Sequence, residues 1–150
     1  MVTNIESIWN AVLQYANSNG VTVLIQGKAA EFDPASNIIY IPKRHSHTVP
    51  GLVMLIHELG HIGQTLPPFP INTLKGQKAA IIWYENNAWD NGWNLIIQYR
   101  LEELLYEIYS IDRLNCMYGY MDYVFRKAKP KQVRTLFEGY TALITRFTNK

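Results

Sequence analysis

Apolar residues recur at helical spacing from the start of the chain. Ile5, Ile8, Trp9, Val12, Leu13 and Ala16 mark one face of a helix over residues 3–18, and Asn19-Gly20 stops it. The pattern then shortens to strand length. Residues 21–25 are rich in β-branched side chains, residues 29–32 resume after a break, and residues 37–41 read Asn-Ile-Ile-Tyr-Ile before Pro42. Asp33-Pro34-Ala35-Ser36 supplies turn chemistry between the last two runs. These runs predict a small antiparallel sheet, in which 37–41, the last strand before the next helix, is the best candidate for an exposed edge, the alternative being an internal strand whose Ile38, Ile39 and Ile41 fill the core.

Thr48 is placed to cap that helix, with Pro50 tolerated in its first turn. It is expected over 49–64, because Leu66-Pro67-Pro68-Phe69-Pro70 does not continue a helix. Further helices are expected from near Gln77 through Glu85, over 101–118 and over 131–147. Whether the first two of these are separate is left open, since no Pro or Gly divides residues 95 and 111. The order of one helix, a small sheet and then helices predicts an α+β fold in a single domain spanning 1–150.

The middle helix carries His57-Glu58-Leu59-Gly60-His61, an H-E-x-x-H motif behind the apolar lead-in Leu52-Val53-Met54-Leu55-Ile56. Residues four apart share a helix face, so both imidazoles reach one metal ion. Nitrogen and carboxylate donors suit zinc, which lowers the pKa of a bound water to about 7. Glu58 is then placed as the general base that takes the proton of that water. A catalytic zinc needs a third protein ligand. The downstream candidates are Glu85, Asp90, Glu102, Glu103, Glu107 and Asp112.

Packing favours Glu85. Its helix face carries Ile81, Ile82, Ala88, Trp89 and Gly92, where an unpaired carboxylate is costly to bury. Ala88 and Gly92 allow a close helix approach, and Gly60 and Gly63 leave matching room on the motif helix. Asp90 lies about 140° around the helix from Glu85. Two features stay unassigned. His45 and His47 sit in the loop before the motif helix and fit a donor, a supporting contact, an accessory metal site or plain exposure. Tyr84, Tyr99, Tyr106 and Tyr109 all qualify as the oxyanion donor.

Composition changes this picture little. The chain has 150 residues, 48% of them hydrophobic and 17% charged, which is the balance of a globular domain with its own core. A net charge of +2 gives no reason to expect a nucleic acid or a membrane as partner. Arg126, Lys127, Lys129, Lys131 and Arg134 cluster around Pro130, as expected of a solvated turn between helices. Cys116 is the sole cysteine, so no internal disulfide forms, and it sits among apolar neighbours as a packing residue. With no basic n-region ahead of an apolar core at residues 1–6, and no apolar run of about 18 residues, the expectation is a cytoplasmic protein.

The chain resembles the gluzincins, metallopeptidases whose zinc is held by two motif histidines and a later glutamate. Residues 38–42, 55–63 and Glu85-Asn86-Asn87-Ala88 match the arrangement of the ImmA/IrrE-type metallopeptidases of bacteria. The similarity covers roughly residues 20–95. It implies a zincin-like fold, zinc held by His57, His61 and Glu85, Glu58 as base, and a peptide or protein substrate. Thermolysin-like gluzincins carry Asp four residues after the ligand glutamate, where this chain has Trp89. No helix-turn-helix segment is legible. A zinc-binding zincin scaffold that only docks a partner, and a nucleic-acid factor using the 126–134 cluster, are the competing readings.

Overall fold

The computed structural model describes residues 4–148. Thr3, where the first helical pattern begins, and the first half of the N-terminal stretch read for a leader lie outside the described residues. Helix α1 (Ile5–Ser18) is capped by the Asn4 side chain, which accepts from the Glu6 N–H. Its buried residues are Ile8, Trp9, Val12 and Ala16, the expected face. Strands β1 (Thr22–Ile25), β2 (Glu31–Asp33) and β3 (Ile38–Ile41) follow, then a short 3₁₀ turn (Lys43–His45) and helix α2 (Val49–Leu59). Three further helices complete the chain: α3 (Leu74–Gln98), α4 (Glu102–Asp122) and α5 (Pro130–Thr148). A π-helical turn (Tyr123–Lys127) lies between the last two. The fold is α+β and mostly helical.

The sheet corrects two expectations. Its order is β1-β3-β2, with β3 parallel to β1 and antiparallel to β2, so it is mixed rather than antiparallel. The run at 37–41 is therefore the central strand and not an exposed edge. The physical reason lies in the side chains. Ile39 and Ile41 are fully buried, whereas β2 carries Glu31 and Asp33, as suits an edge. Residues 26–30 carry the chain across to the far side of β3, so β1 and β2 never pair.

Helix boundaries also moved. The α-helix bearing the motif stops at Leu59 rather than near Gln64, and His61 lies in the tightened turn after it. There the His61 N–H reaches the Glu58 carbonyl at 3.2 Å and the Ile62 N–H reaches Leu59 at 3.1 Å. Gly63, at φ 78°, then turns the chain. Helix α3 starts three residues before Gln77, where the Thr73 hydroxyl accepts from the Gly76 N–H at 3.0 Å. α3 and α4 are separate, joined through Arg100 at φ 58°. The Leu101 N–H closes back on the Ile96 carbonyl at 2.9 Å, a helix end made without the usual glycine.

Two groups of buried side chains result. One joins α1, the sheet, α2, α4 and the C-terminal half of α3 around Trp9, Ile39, Leu55, Trp89 and Tyr109. The other joins the N-terminal half of α3 to α5 around Ile81, Tyr84, Val133, Phe137 and Tyr140. α2 and α3 meet so closely that a methyl group on Gly60 would collide with the Ala88 carbonyl and one on Gly92 would press on Ile56, as well as on the Tyr109 hydroxyl of α4. The Asn91 side chain donates to the Gly60 carbonyl at 2.9 Å across this contact. Gly63, read from the sequence as part of the same close approach, faces open space instead. No described helix is long and apolar enough to cross a membrane. Gly60→Ala is expected to force α2 and α3 apart, with a loss of about 1–3 kcal/mol in denaturant unfolding.

Candidate metal centre and its cleft

Among the described residues, His57, His61 and Glu85 form a buried group of potential metal donors. His57 comes from the last turn of α2, His61 from the turn after it, and Glu85 from the middle of α3. The His57 Nε2 lies 3.2 Å from Glu85 Oε2, and the His61 Nε2 lies 3.6 Å from the same oxygen. Tetrahedral bonds of about 2.0–2.1 Å put neighbouring donor atoms about 3.3 Å apart, so three lone pairs are spaced for one small cation. Glu85 Oε2 is buried and makes no hydrogen bond, which leaves it available as a ligand. The donor set therefore fits a divalent metal ion.

Surrounding residues aim these donors. Gln64 is almost fully buried, and its Oε1 lies 2.9 Å from His61 Nδ1. Its amide nitrogen donates to the Tyr84 carbonyl at 2.7 Å and to Asn87 Oδ1 at 3.1 Å, which orients Oε1 as an acceptor. His61 therefore carries a proton on Nδ1, and its Nε2 is the ring nitrogen turned to the centre. The Tyr140 hydroxyl, from α5, donates to Glu85 Oε1 at 2.7 Å and leaves Oε2 facing the imidazoles. Trp89 stacks on His57 at 4.1 Å between centroids. Burial alone would push the Glu85 carboxyl up, but His61, His57 and Tyr140 together hold it down at about 2.

Glu58 points beside the donors into a cleft of about 300 Å³ that also exposes His61 and Glu85. Ala30, Glu31, Phe32 and Pro34, along β2, form one wall. Leu136, Gly139, Tyr140 and Leu143 of α5 form the other, with Tyr120 of α4 between them. Desolvation pushes the Glu58 carboxyl up to about 7, opposed by His61 and reinforced by the carboxylates of Glu85 and Glu31. It is thus a basic carboxylate at the lip of the cleft.

Several sequence candidates lie elsewhere. Asp90 pairs with Arg113 at 2.7 Å, and Glu102, Glu103, Glu107 and Asp112 belong to α4 and do not join the donor cluster. His47 lies 3.4 Å from Glu6 with its ring against Trp9, and neither it nor His45 lines the cleft. None of Tyr84, Tyr99, Tyr106 and Tyr109 lines it either. The phenols at the cleft are Tyr120 and Tyr140, which sequence reasoning missed. It also missed Gln64, although the spacing His61-x-x-Gln64 places a polar side chain one turn beyond the second histidine. Burial pushes the Cys116 thiol up to about 12, in keeping with a packing role.

Metal retention tests this geometry. His57→Ala, His61→Ala and Glu85→Ala are each expected to abolish stable binding of one divalent ion per chain. Gln64→Ala is expected to weaken it by about 10–100-fold in a chelator competition, since it leaves the donors but releases the His61 ring. Full affinity in Glu85→Ala would remove Glu85 as a ligand. Comparisons with protein-family models, curated proteins and solved structures find no match to this chain, so its chemistry is read from the site itself.

Proposed function

We propose that this protein is a zinc-dependent metallopeptidase with a zincin-like arrangement of its active site. The observation that carries the proposal is the convergence of His57 Nε2, His61 Nε2 and Glu85 Oε2 beside Glu58, with Glu58, His61 and Glu85 lining a cleft of about 300 Å³. Zinc held there would supply Lewis-acid polarisation of the scissile carbonyl and acidify a water molecule. Glu58 accepts a proton from the attacking water at its carboxylate and returns it to the departing amine. A carboxyl raised by its surroundings serves both steps, because it holds a proton well enough to give it back. No covalent enzyme intermediate is required.

The phenols divide the remaining work. Tyr140 is spent on Glu85 and acts as a positioning residue for that ligand. Tyr120 faces the same cleft, and burial, reinforced by the neighbouring Glu85 carboxylate, raises its phenol above the ordinary value, so its proton stays on the oxygen at neutral pH. It is the group we assign to the developing oxyanion. An extended peptide lies between β2 and α5, with an apolar side chain against Leu136 and Leu143. Gly139 fits this reading. It costs α5 about 1 kcal/mol relative to alanine, and a methyl group there would touch nothing in the protein. The bare backbone leaves room for substrate.

Three variants check the assignment on a peptide library with metal content measured in parallel. Glu58→Gln is expected to keep the metal and the fold while losing hydrolysis. Tyr120→Phe is expected to lower kcat by about 10²–10³-fold with little change in KM. Gly139→Leu is expected to keep the metal and block cleavage, while Gly139→Ala raises the melting temperature. Cleavage that survives Glu58→Gln would remove Glu58 as the base.

A further inference from the structure

Helix α4 is apolar on two sides. One side faces the core through Leu105 and Tyr109, with Ile108, Cys116 and Met117 packed against it. On another side Leu104, Ile111, Leu114, Tyr118 and Met121 stand in solvent, followed by Phe125 in the π-helical turn. These six are 46–73% exposed, far more than scattered surface apolar residues need to be. They follow the seven-residue repeat of a helix–helix seam, with Leu104, Ile111, Tyr118 and Phe125 at one heptad position and Leu114 and Met121 at the other. Beside Leu114 the surface dips into a groove of about 460 Å³ lined by Trp93, Tyr106 and Met117.

Charge along the same face is segregated. Glu103 and Glu107 stand near its N-terminal end, and Arg126 and Lys127 in the π-helical turn at its C-terminal end. Asp122 takes both Arg126, at 3.1 Å, and Lys127, at 2.9 Å, so that end stays net positive. We propose that a second copy of this chain packs antiparallel along this face of α4, making a two-fold symmetric dimer. Antiparallel docking centred near Leu114 sets Leu104 against Phe125 and Ile111 against Tyr118. It also brings Glu103 of each copy to Arg126 of the other, while Glu107 falls opposite Asp122, whose carboxylate is already held by Arg126 and Lys127. Parallel docking would set acid on acid and base on base. The six side chains expose on the order of 700 Å² per copy, close to the roughly 800 Å² per partner of a stable interface. The heptad spacing, the segregated charge and the area all point to the same occupant.

The interface lies on α4 and does not rest on the proposed peptidase chemistry, so sedimentation of the full chain tests it alone. The wild-type protein is expected to sediment at twice the 17.3 kDa chain mass. Leu114→Glu is expected to sediment as one chain with an unchanged circular dichroism spectrum. Glu103→Lys is expected to weaken the dimer at least about 10-fold, and adding Arg126→Glu to restore it. The reversal reports orientation and does not depend on the apolar variant folding. A wild-type chain that stays monomeric at about 100 µM overturns the proposal, as does a dimer indifferent to Leu114→Glu or to the charge exchange. A monomer that binds lipid vesicles through this face would assign it to a membrane surface instead.

Discussion

A carboxylate buried between helices is the constraint on which the site depends. Glu85 lies in the middle of α3 with almost no solvent contact, where an isolated charge would be too costly to keep. Two imidazoles and one phenol surround it, and each arrives from a different place: His57 from the end of α2, His61 from the turn beyond, and Tyr140 from α5. The protein thus spends its most expensive burial at the point where three elements meet. Moving any one of them leaves the charge uncompensated, so the packing of α2, α3 and α5 and the integrity of the donor set are one problem.

Backbone proximity is what makes the arrangement reachable. His57 and His61 extend far enough only because Gly60 lies directly on the Ala88 carbonyl, one turn beyond Glu85. Gln64 then ties the turn back to α3 through the Tyr84 carbonyl and Asn87, on the same hydrogen-bond system that orients His61. His57 is held differently. Its ring lies flat against Trp89, and its Nδ1 has no hydrogen bond. Stacking on Trp89 thus fixes the plane of this ring. The two histidines of one motif are therefore positioned by unlike forces: one by a directional hydrogen bond, the other by a flat apolar contact that fixes the ring plane and leaves the proton position unspecified.

Local features were legible in the sequence, and long-range ones were not. The α1 face, the Thr48 cap and the helix bearing the motif follow from spacing, and the structure has each of them; the cost of burying a charge on an apolar stripe singled out Glu85, which the structure buries beside His57 and His61. The sheet did not follow, because three short runs fix neither neighbour nor direction. The deciding difference was that Ile39 and Ile41 are buried whereas β2 carries Glu31 and Asp33. The break between α3 and α4 was hidden because Arg100 adopts a left-handed conformation that sequence reasoning expects of glycine. Tyr120 and Tyr140 were missed for another reason. They lie 35 and 55 residues beyond Glu85, and nothing in helical periodicity says which helix faces return to a distant motif.

That last omission says how the site is assembled. The motif and its partner glutamate fall within the first hundred residues, yet the structure completes the centre with α5. Tyr140 fixes the glutamate, and Leu136, Gly139 and Leu143 form one wall of the cleft. α5 packs on the N-terminal half of α3 through Val133, Phe137 and Ile144, in a group of buried residues distinct from the one that holds α1, α2 and the sheet. Glu85 stands on α3 between these two groups. α2 approaches it from one side and α5 from the other, and the cleft is the gap they leave. A small change in how α5 sits on α3 alters both the orientation of the Glu85 carboxylate and the width available to a ligand. The orientation of the Glu85 carboxylate and the width of the cleft are thereby coupled through one helix, which neither the motif nor its immediate surroundings would reveal.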